Sequence, residues 1–206
     1  MERDVRLGFY LIPPANLSLK MLELRSLVYD QYRINAAAKF MTHMTIKGFF
    51  KPTLSEPYHE LIQVLDKVVS RHEPFTIYPT GLRVFDDAGI GVEFSKEHNK
   101  ILWDIHNDCY TVIEPFIAPD CDFTPVEPLG ENFIPHLTIA MIDVSHPISK
   151  EIHSYLSDVK FDEKGYFIKD FKLYEFTSQG WSTKEWIYTL QWKILHSWRL
   201  NSLSPE

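Results

Sequence analysis

The stretch MTHMTIKGFF (residues 41–50) is answered in the second half of the chain by FIPHLTIAMI (residues 133–142). Within them, His43-Met44-Thr45-Ile46 matches His136-Leu137-Thr138-Ile139. Both stretches read as β-strand. Side chains alternate along a strand, so His43 and Thr45 share one face while Met44 and Ile46 share the other. His136 and Thr138 repeat the arrangement against Leu137 and Ile139. Each copy therefore offers one imidazole and one hydroxyl on an apolar backing. Two such strands side by side put two imidazoles across a shared cleft, a set suited to metal-free acid–base chemistry on a phosphodiester.

Outward from the first copy, Val5–Ile12 reads as a strand closed by Pro13-Pro14. Asn16-Leu17-Ser18 then offers a cap for a helix through about Tyr32, with Leu19, Leu22, Leu24, Leu27 and Val28 as its apolar stripe. After the first motif strand, Ser55-Glu56-Pro57 suits the start of a second helix, whose buried face is Leu61, Ile62, Leu65, Val68 and Val69. Phe75–Phe94 reads as two strands joined by the turn composition Asp86-Asp87-Ala88-Gly89. A third helix is expected from Lys96 to about Phe116, then a proline-rich connector to Pro128.

Beyond the second motif strand, His146-Pro147 opens a helix to about Leu156. Tyr166–Trp198 reads as two long strands meeting near Ser178-Gln179-Gly180. In the last of them Trp186, Tyr188, Leu190, Trp192, Ile194 and Trp198 share one parity, which predicts a core face. Glu185, Thr189, Gln191, Lys193 and Ser197 form the wet one. Helices and strands intermix while several strands pair as hairpins, which predicts an α+β fold with antiparallel-rich sheets covered by helices on one side.

Bulk properties bound the function. The 206 residues suffice for a substantial core, and 45% hydrophobic with 14% aromatic content describes a folded chain. A net charge of −7 without a Lys/Arg-rich block argues against a long duplex as ligand, because backbone-tracking proteins carry a basic footprint. A small nucleotide or an RNA end needs only local positive groups. Met1-Glu2-Arg3-Asp4 lacks a basic n-region, no apolar run could span a bilayer, and Cys109 and Cys121 read as reduced thiols. The expectation is a cytoplasmic monomer with no cofactor, no metal and no membrane partner.

Rival motifs fail on spacing. Gly89-Ile90-Gly91 lacks the third glycine of a dinucleotide fingerprint, and His59-Glu60 lacks the second histidine of a zincin helix. His98, His106, His146, His153 and His196 read as surface or core histidines. Only the His-x-Thr pair stands out.

Those two motifs, the proline (Pro135) before the second, and the opening strand VRLGFYLIPP resemble the 2H phosphoesterase superfamily. It includes the RNA 2′,3′-cyclic phosphodiesterases once called 2′-5′ RNA ligases. The resemblance implies a single domain over residues 1–206, made of two pseudo-symmetric α+β lobes around a central cleft. It implies that His43 and His136 act as general acid and base, and that Thr45 and Thr138 bind the phosphate oxygens. Strand parity adds Lys47 as a positive group and Phe49 as a base-stacking ring, and Tyr10 joins them as a substrate-binding candidate. Many bacterial relatives carry a basic residue shortly after the second motif, where this chain has Ala140, Met141 and Asp143. That departure weighs against RNA-end specificity and leaves room for a different phosphodiester, such as a cyclic oligonucleotide or ADP-ribose cyclic phosphate. The alternative to an enzyme is a module that binds a nucleotide in the same cleft without turnover.

Overall fold

The computed structural model describes residues 5–53, 57–86, 89–123, 127–179, 181 and 186–201. Among these residues, nine strands and five α-helices follow one another. They are β1 (Val5–Ile12), α1 (Ala15–Tyr32), β2 (Met44–Phe50), α2 (His59–Val69), β3 (Phe75–Ile77), β4 (Gly81–Phe85), β5 (Gly89–Glu93) and α3 (Lys96–Ile113). After them come β6 (His136–Ala140), α4 (His146–Tyr155), β7 (Tyr166–Ile168), β8 (Asp170–Thr177), the short α5 (Trp186–Thr189) and β9 (Gln191–Arg199). Seven strands form one antiparallel sheet in the order β4-β5-β6-β2-β1-β8-β9, and β3 pairs with β7 apart from it.

The order contains an internal repeat. The unit β1-α1-β2-α2 recurs as β5-α3-β6-α4, and in each unit the first strand pairs antiparallel with the second. The motif strands β2 and β6 meet in the middle of the sheet, with β1 and β5 flanking them. The long helices cross over this seam: α1 packs on β6 and α3 on β2, so each half roofs the other's motif strand.

Alternation separates the two faces. Leu7, Phe9 and Leu11 of β1, Met44 and Ile46 of β2, and Leu137 and Ile139 of β6 join the main core under the helices. Tyr10, Tyr174 and Phe176 join Ala36, Phe40 and Ile187 in a second apolar cluster on the opposite face. Burying a large apolar side chain contributes roughly 1.5–3 kcal/mol, so this double core fixes register: a one-residue slip would exchange the two faces.

Several elements depart from the sequence reading. The α1 stripe is Leu17, Met21, Leu24, Arg25 and Val28, whereas Leu19 and Leu22 are exposed. Arg25 sets the helix phase, because its guanidinium donates to the Thr138 carbonyl through both Nε (3.0 Å) and Nη2 (2.8 Å). Helix α2 begins at His59 behind Tyr58 in the left-handed region; the expected cap Ser55 lies outside the described residues. The region 75–94 holds three strands rather than two.

The tail does not form one continuous hairpin. Trp186–Thr189 coils into a helical turn, and the β8–β9 register slips between Leu173 and Tyr174. The tryptophan parity is therefore broken: Trp198 is buried while Tyr188, Trp192 and Ile194 of the expected core face are exposed. Gly180 and Glu185 of that reading lie outside the described residues. No helix among the described residues is long and apolar enough to cross a membrane.

Candidate active site

The two His-x-Thr motifs meet at the seam. Met44 pairs with Leu137 across the antiparallel β2–β6 junction. Continuing that register by one residue either way sets His43 across from Thr138 and Thr45 across from His136. The histidines then occupy one diagonal of a square and the threonines the other. Diagonal neighbours on one face of an antiparallel pair are about 7–8 Å apart, which leaves a phosphate-sized gap between the imidazoles.

Both imidazoles are held in the same way. Nδ1 of His43 lies 2.8 Å from the Met41 carbonyl, and Nδ1 of His136 lies 2.8 Å from the Ile134 carbonyl, in each case two residues earlier. A carbonyl oxygen only accepts, so Nδ1 carries the proton in both rings and proton exchange with a substrate falls to Nε2.

Their surroundings differ. His43 is half-buried, with the Tyr10 ring edge-on at 4.6 Å and the Phe40 ring at 5.6 Å. Burial pushes its pKa down to about 4, partly opposed by the hydrogen bond to the Met41 carbonyl, and the Arg25 guanidinium and His136 add smaller downward effects. His43 is therefore neutral at pH 7. Tyr10 is itself buried, which drives its phenol well above the ordinary range and keeps it uncharged. Gly8 makes this possible: a Cβ there would fall within 2.6 Å of Tyr10 ring carbons.

His136 packs on Phe85, with ring centroids 4.6 Å apart, and pairs with Glu93 across β5–β6. Glu93 is ion-paired with Arg83 of β4. Gly91 opens the space between them, since a Cβ there would lie 2.9 Å from the Leu137 carbonyl and 3.2 Å from Phe85.

Each crossing helix also bonds a carbonyl of the opposite motif strand. Arg25, the eleventh residue of α1, takes the Thr138 carbonyl; His106, the eleventh of α3, takes the Ile46 carbonyl at 2.6 Å. His106 accepts from the Gly130 amide at Nε2 (3.2 Å) and stacks on Phe133 at 4.0 Å. Its burial lowers its pKa, and the ring is a neutral strut of the core.

Strand parity does not reveal Arg25, Phe85, Glu93 or His106 as parts of the site.

Of the three substrate-binding candidates, Tyr10 touches His43 and stands behind it. Phe49 packs among Phe40, Phe123, Phe176, Trp181 and Trp186. Lys47 departs from the parity expectation. Bulges on either side of the Phe9–Lys47 pair turn its side chain away from the cleft, where it is fully buried and bonded to Glu127 at 2.5 Å. Glu127 also accepts from the Gly48 amide at 2.6 Å.

Residues 13–173 match the family described as the 2′-5′ RNA ligase superfamily. No curated protein matches the chain in sequence. Among solved structures, TT0787 of Thermus thermophilus superposes with a TM-score of 0.65 at 12% identity, covering 95% of this chain and 97% of that one. Escherichia coli LigT in complex with 3′-AMP gives 0.61 at 16%, covering 98% and 100%. At these identities the likeness is one of fold.

Proposed function

Because the chain belongs to the 2′-5′ RNA ligase superfamily, we propose that it is a metal-independent phosphodiesterase acting on a 2′,3′-cyclic or 2′-5′ phosphodiester of a nucleotide or RNA end. One observation carries the reading: two His-x-Thr motifs abut in antiparallel register, with both Nδ1 atoms pinned to backbone carbonyls. The LigT complex with 3′-AMP supports a small nucleotide as the ligand. Two buried cysteines that form no disulfide among the described residues fit a reducing compartment such as the cytoplasm.

The scissile phosphate sits over the square. His43, neutral at pH 7, takes a proton from water at Nε2 as the water oxygen bonds to phosphorus. His136, protonated at Nε2, gives its proton to the ribose oxygen as the phosphorus–oxygen bond breaks. The two rings then exchange one proton with solvent and are reset. Nucleophile and leaving group lie on opposite sides of phosphorus, as the histidine diagonal allows. Thr45 and Thr138, on the other diagonal, donate to the non-bridging oxygens where charge builds. Arg25 adds a fixed positive charge near the seam; burial brings its pKa down to about 10, so it stays ionised.

The test is hydrolysis of 2′,3′-cyclic nucleotides and 2′-5′ dinucleotides in EDTA, followed by phosphorus NMR. His43→Ala and His136→Ala should each lose on the order of 10²–10⁴ in kcat. Thr45→Val and Thr138→Val should each lose about 10²–10³. Full activity in either histidine variant, or intact ligand recovered after tight binding, would overturn the proposal.

A further inference from the structure

We propose that the cavity where β5 ends and β6 begins is the subsite for the nucleoside that carries the departing oxygen, so that the protein selects its substrate by base. The inference rests on the phosphodiesterase reading above and extends it to substrate choice. The cavity measures about 360 Å³ and is lined by Arg83, Glu93, Trp103, Glu131, Asn132 and Phe133, among others. That volume lies in the range of small-ligand pockets.

Position ties the cavity to one histidine. Its wall includes Ile134 and Pro135, and the Ile134 carbonyl is the one that holds the His136 ring. Glu93, also in the wall, stands opposite His136 in the β5–β6 register. Cross-strand partners share a face, so a group leaving at His136 leaves on the face where Glu93 joins the site to this cavity. In a cyclic or a 2′-5′ phosphodiester the departing oxygen belongs to a ribose, and the base attached to that ribose is the part with reach into the pocket.

The chemistry of the walls favours a base over a second phosphate. Two cations enter the lining, and each is already paired: Arg83 with Glu93, and Lys96 with Glu131 at 2.6 Å. The wall is thus close to neutral and offers little to an additional anion. It does offer carboxylate and amide groups at Glu131 and Asn132, which match the mixed donors and acceptors of a base edge. Trp103 and Phe133, edge-to-face at 5.5 Å, form an aromatic back wall. The buried Trp103 indole N–H has no hydrogen-bond partner among the described residues, and such a donor is satisfied by an acceptor on a ligand. The competing aromatic surface beside the first motif is largely taken up by its own packing, because Phe49 is half-buried among the rings around it.

The experiment compares 2′,3′-cyclic phosphates of adenosine, guanosine, cytidine and uridine with the base-free ribose analogue. The wild-type protein should hydrolyse its best nucleoside at least about tenfold better in kcat/KM than the base-free compound, the scale of one modest pocket contact. Asn132→Ala and Glu131→Ala should each bring that ratio toward one. Equal rates on the base-free compound, or a ratio unmoved in both variants, would overturn the assignment. If no compound is hydrolysed, the phosphodiesterase reading fails, and the pocket is then judged by binding. In ¹H–¹⁵N spectra, 3′-AMP should shift the Trp103 indole resonance, and Asn132→Trp, which fills the cavity from an exposed position, should abolish the shift. An unmoved Trp103 resonance in the wild-type protein would overturn the subsite.

Discussion

Replacing His43 by glutamine should flatten the acid limb of the protein's stability. The imidazole has a pKa of about 4 in the folded protein against 6.5 for the free side chain, mainly because Tyr10, Phe40 and the seam exclude water from it. Between these values the unfolded chain binds a proton that the folded one does not, so stability rises with pH through this window. The contribution is complete above about pH 6.5 and is lost as the pH falls to about 4. At 1.36 kcal/mol per pKa unit it amounts to about 3 kcal/mol. Glutamine does not titrate. Urea unfolding of both proteins at pH 7, 5.5 and 4 should therefore show the variant losing about 3 kcal/mol less than the wild type. In a chain of this size that corresponds to roughly 6–12 °C in relative Tm. Burial also depresses His72 and His106, but both titrate equally in the two proteins and cancel in the difference. Parallel stability curves across the range would refute the claim that His43 is held neutral by desolvation.

The same pKa sets the acid limb of activity: kcat/KM should fall as the pH drops through about 4, where His43 gains a proton, as read from a pH–rate profile. Lys47→Met leaves the Glu127 carboxylate buried and unpaired, which should cost about 3–5 kcal/mol in urea unfolding; Lys47→Met with Glu127→Gln should recover most of it. Gly8→Ala drives a methyl into the Tyr10 ring and should cost about 1–3 kcal/mol while lowering kcat through displacement of His43. Arg25→Met leaves the Thr138 carbonyl without its two donors and should cost about 1–3 kcal/mol, a loss that Arg25→Lys repairs only in part because an ammonium cannot reproduce the fork.

Strand alternation is enough to read the motif pair, because parity depends only on local backbone geometry. It puts His43 with Thr45 and His136 with Thr138 and separates them from the apolar backing, as the two cores show. What escapes such a reading depends on register between distant segments. Lys47 keeps the parity of Thr45 along the chain, yet the bulges in β2 turn it to the other face; Gly48 beside it is the mark of an irregular strand. Glu93 and Phe85 enter the site only because β5 and β4 pair beyond β6. In sequence, Arg25 resembles a solvated charge on a leucine-rich helix; only the crossing of α1 over the seam gives it a partner. The tryptophan series fails for a related reason: parity counts through a turn that is not strand, and β9 is an edge strand with one neighbour.

The repeat raises a question that its motifs alone do not answer, namely how two equivalent histidines come to differ. Acid–base catalysis at one pH needs one ring that starts neutral and one that starts protonated, and a strictly symmetric site would make them compete for the same state. Here the motifs, the Nδ1 anchors and the crossing helices are repeated, whereas the residues around the rings are not. Among the described residues, the Tyr10 and Phe40 rings and the Arg25 guanidinium stand on the His43 side, and the Phe85 ring and the Arg83-paired Glu93 carboxylate stand on the His136 side. The matching helix positions carry Arg25 in one half and His106 in the other, so a permanent charge lies at one carbonyl and a neutral ring at the other. On the proposed mechanism, the difference between base and acid is thus written by non-motif residues. Exchanging the surroundings, rather than the histidines, is the change that would reverse their roles.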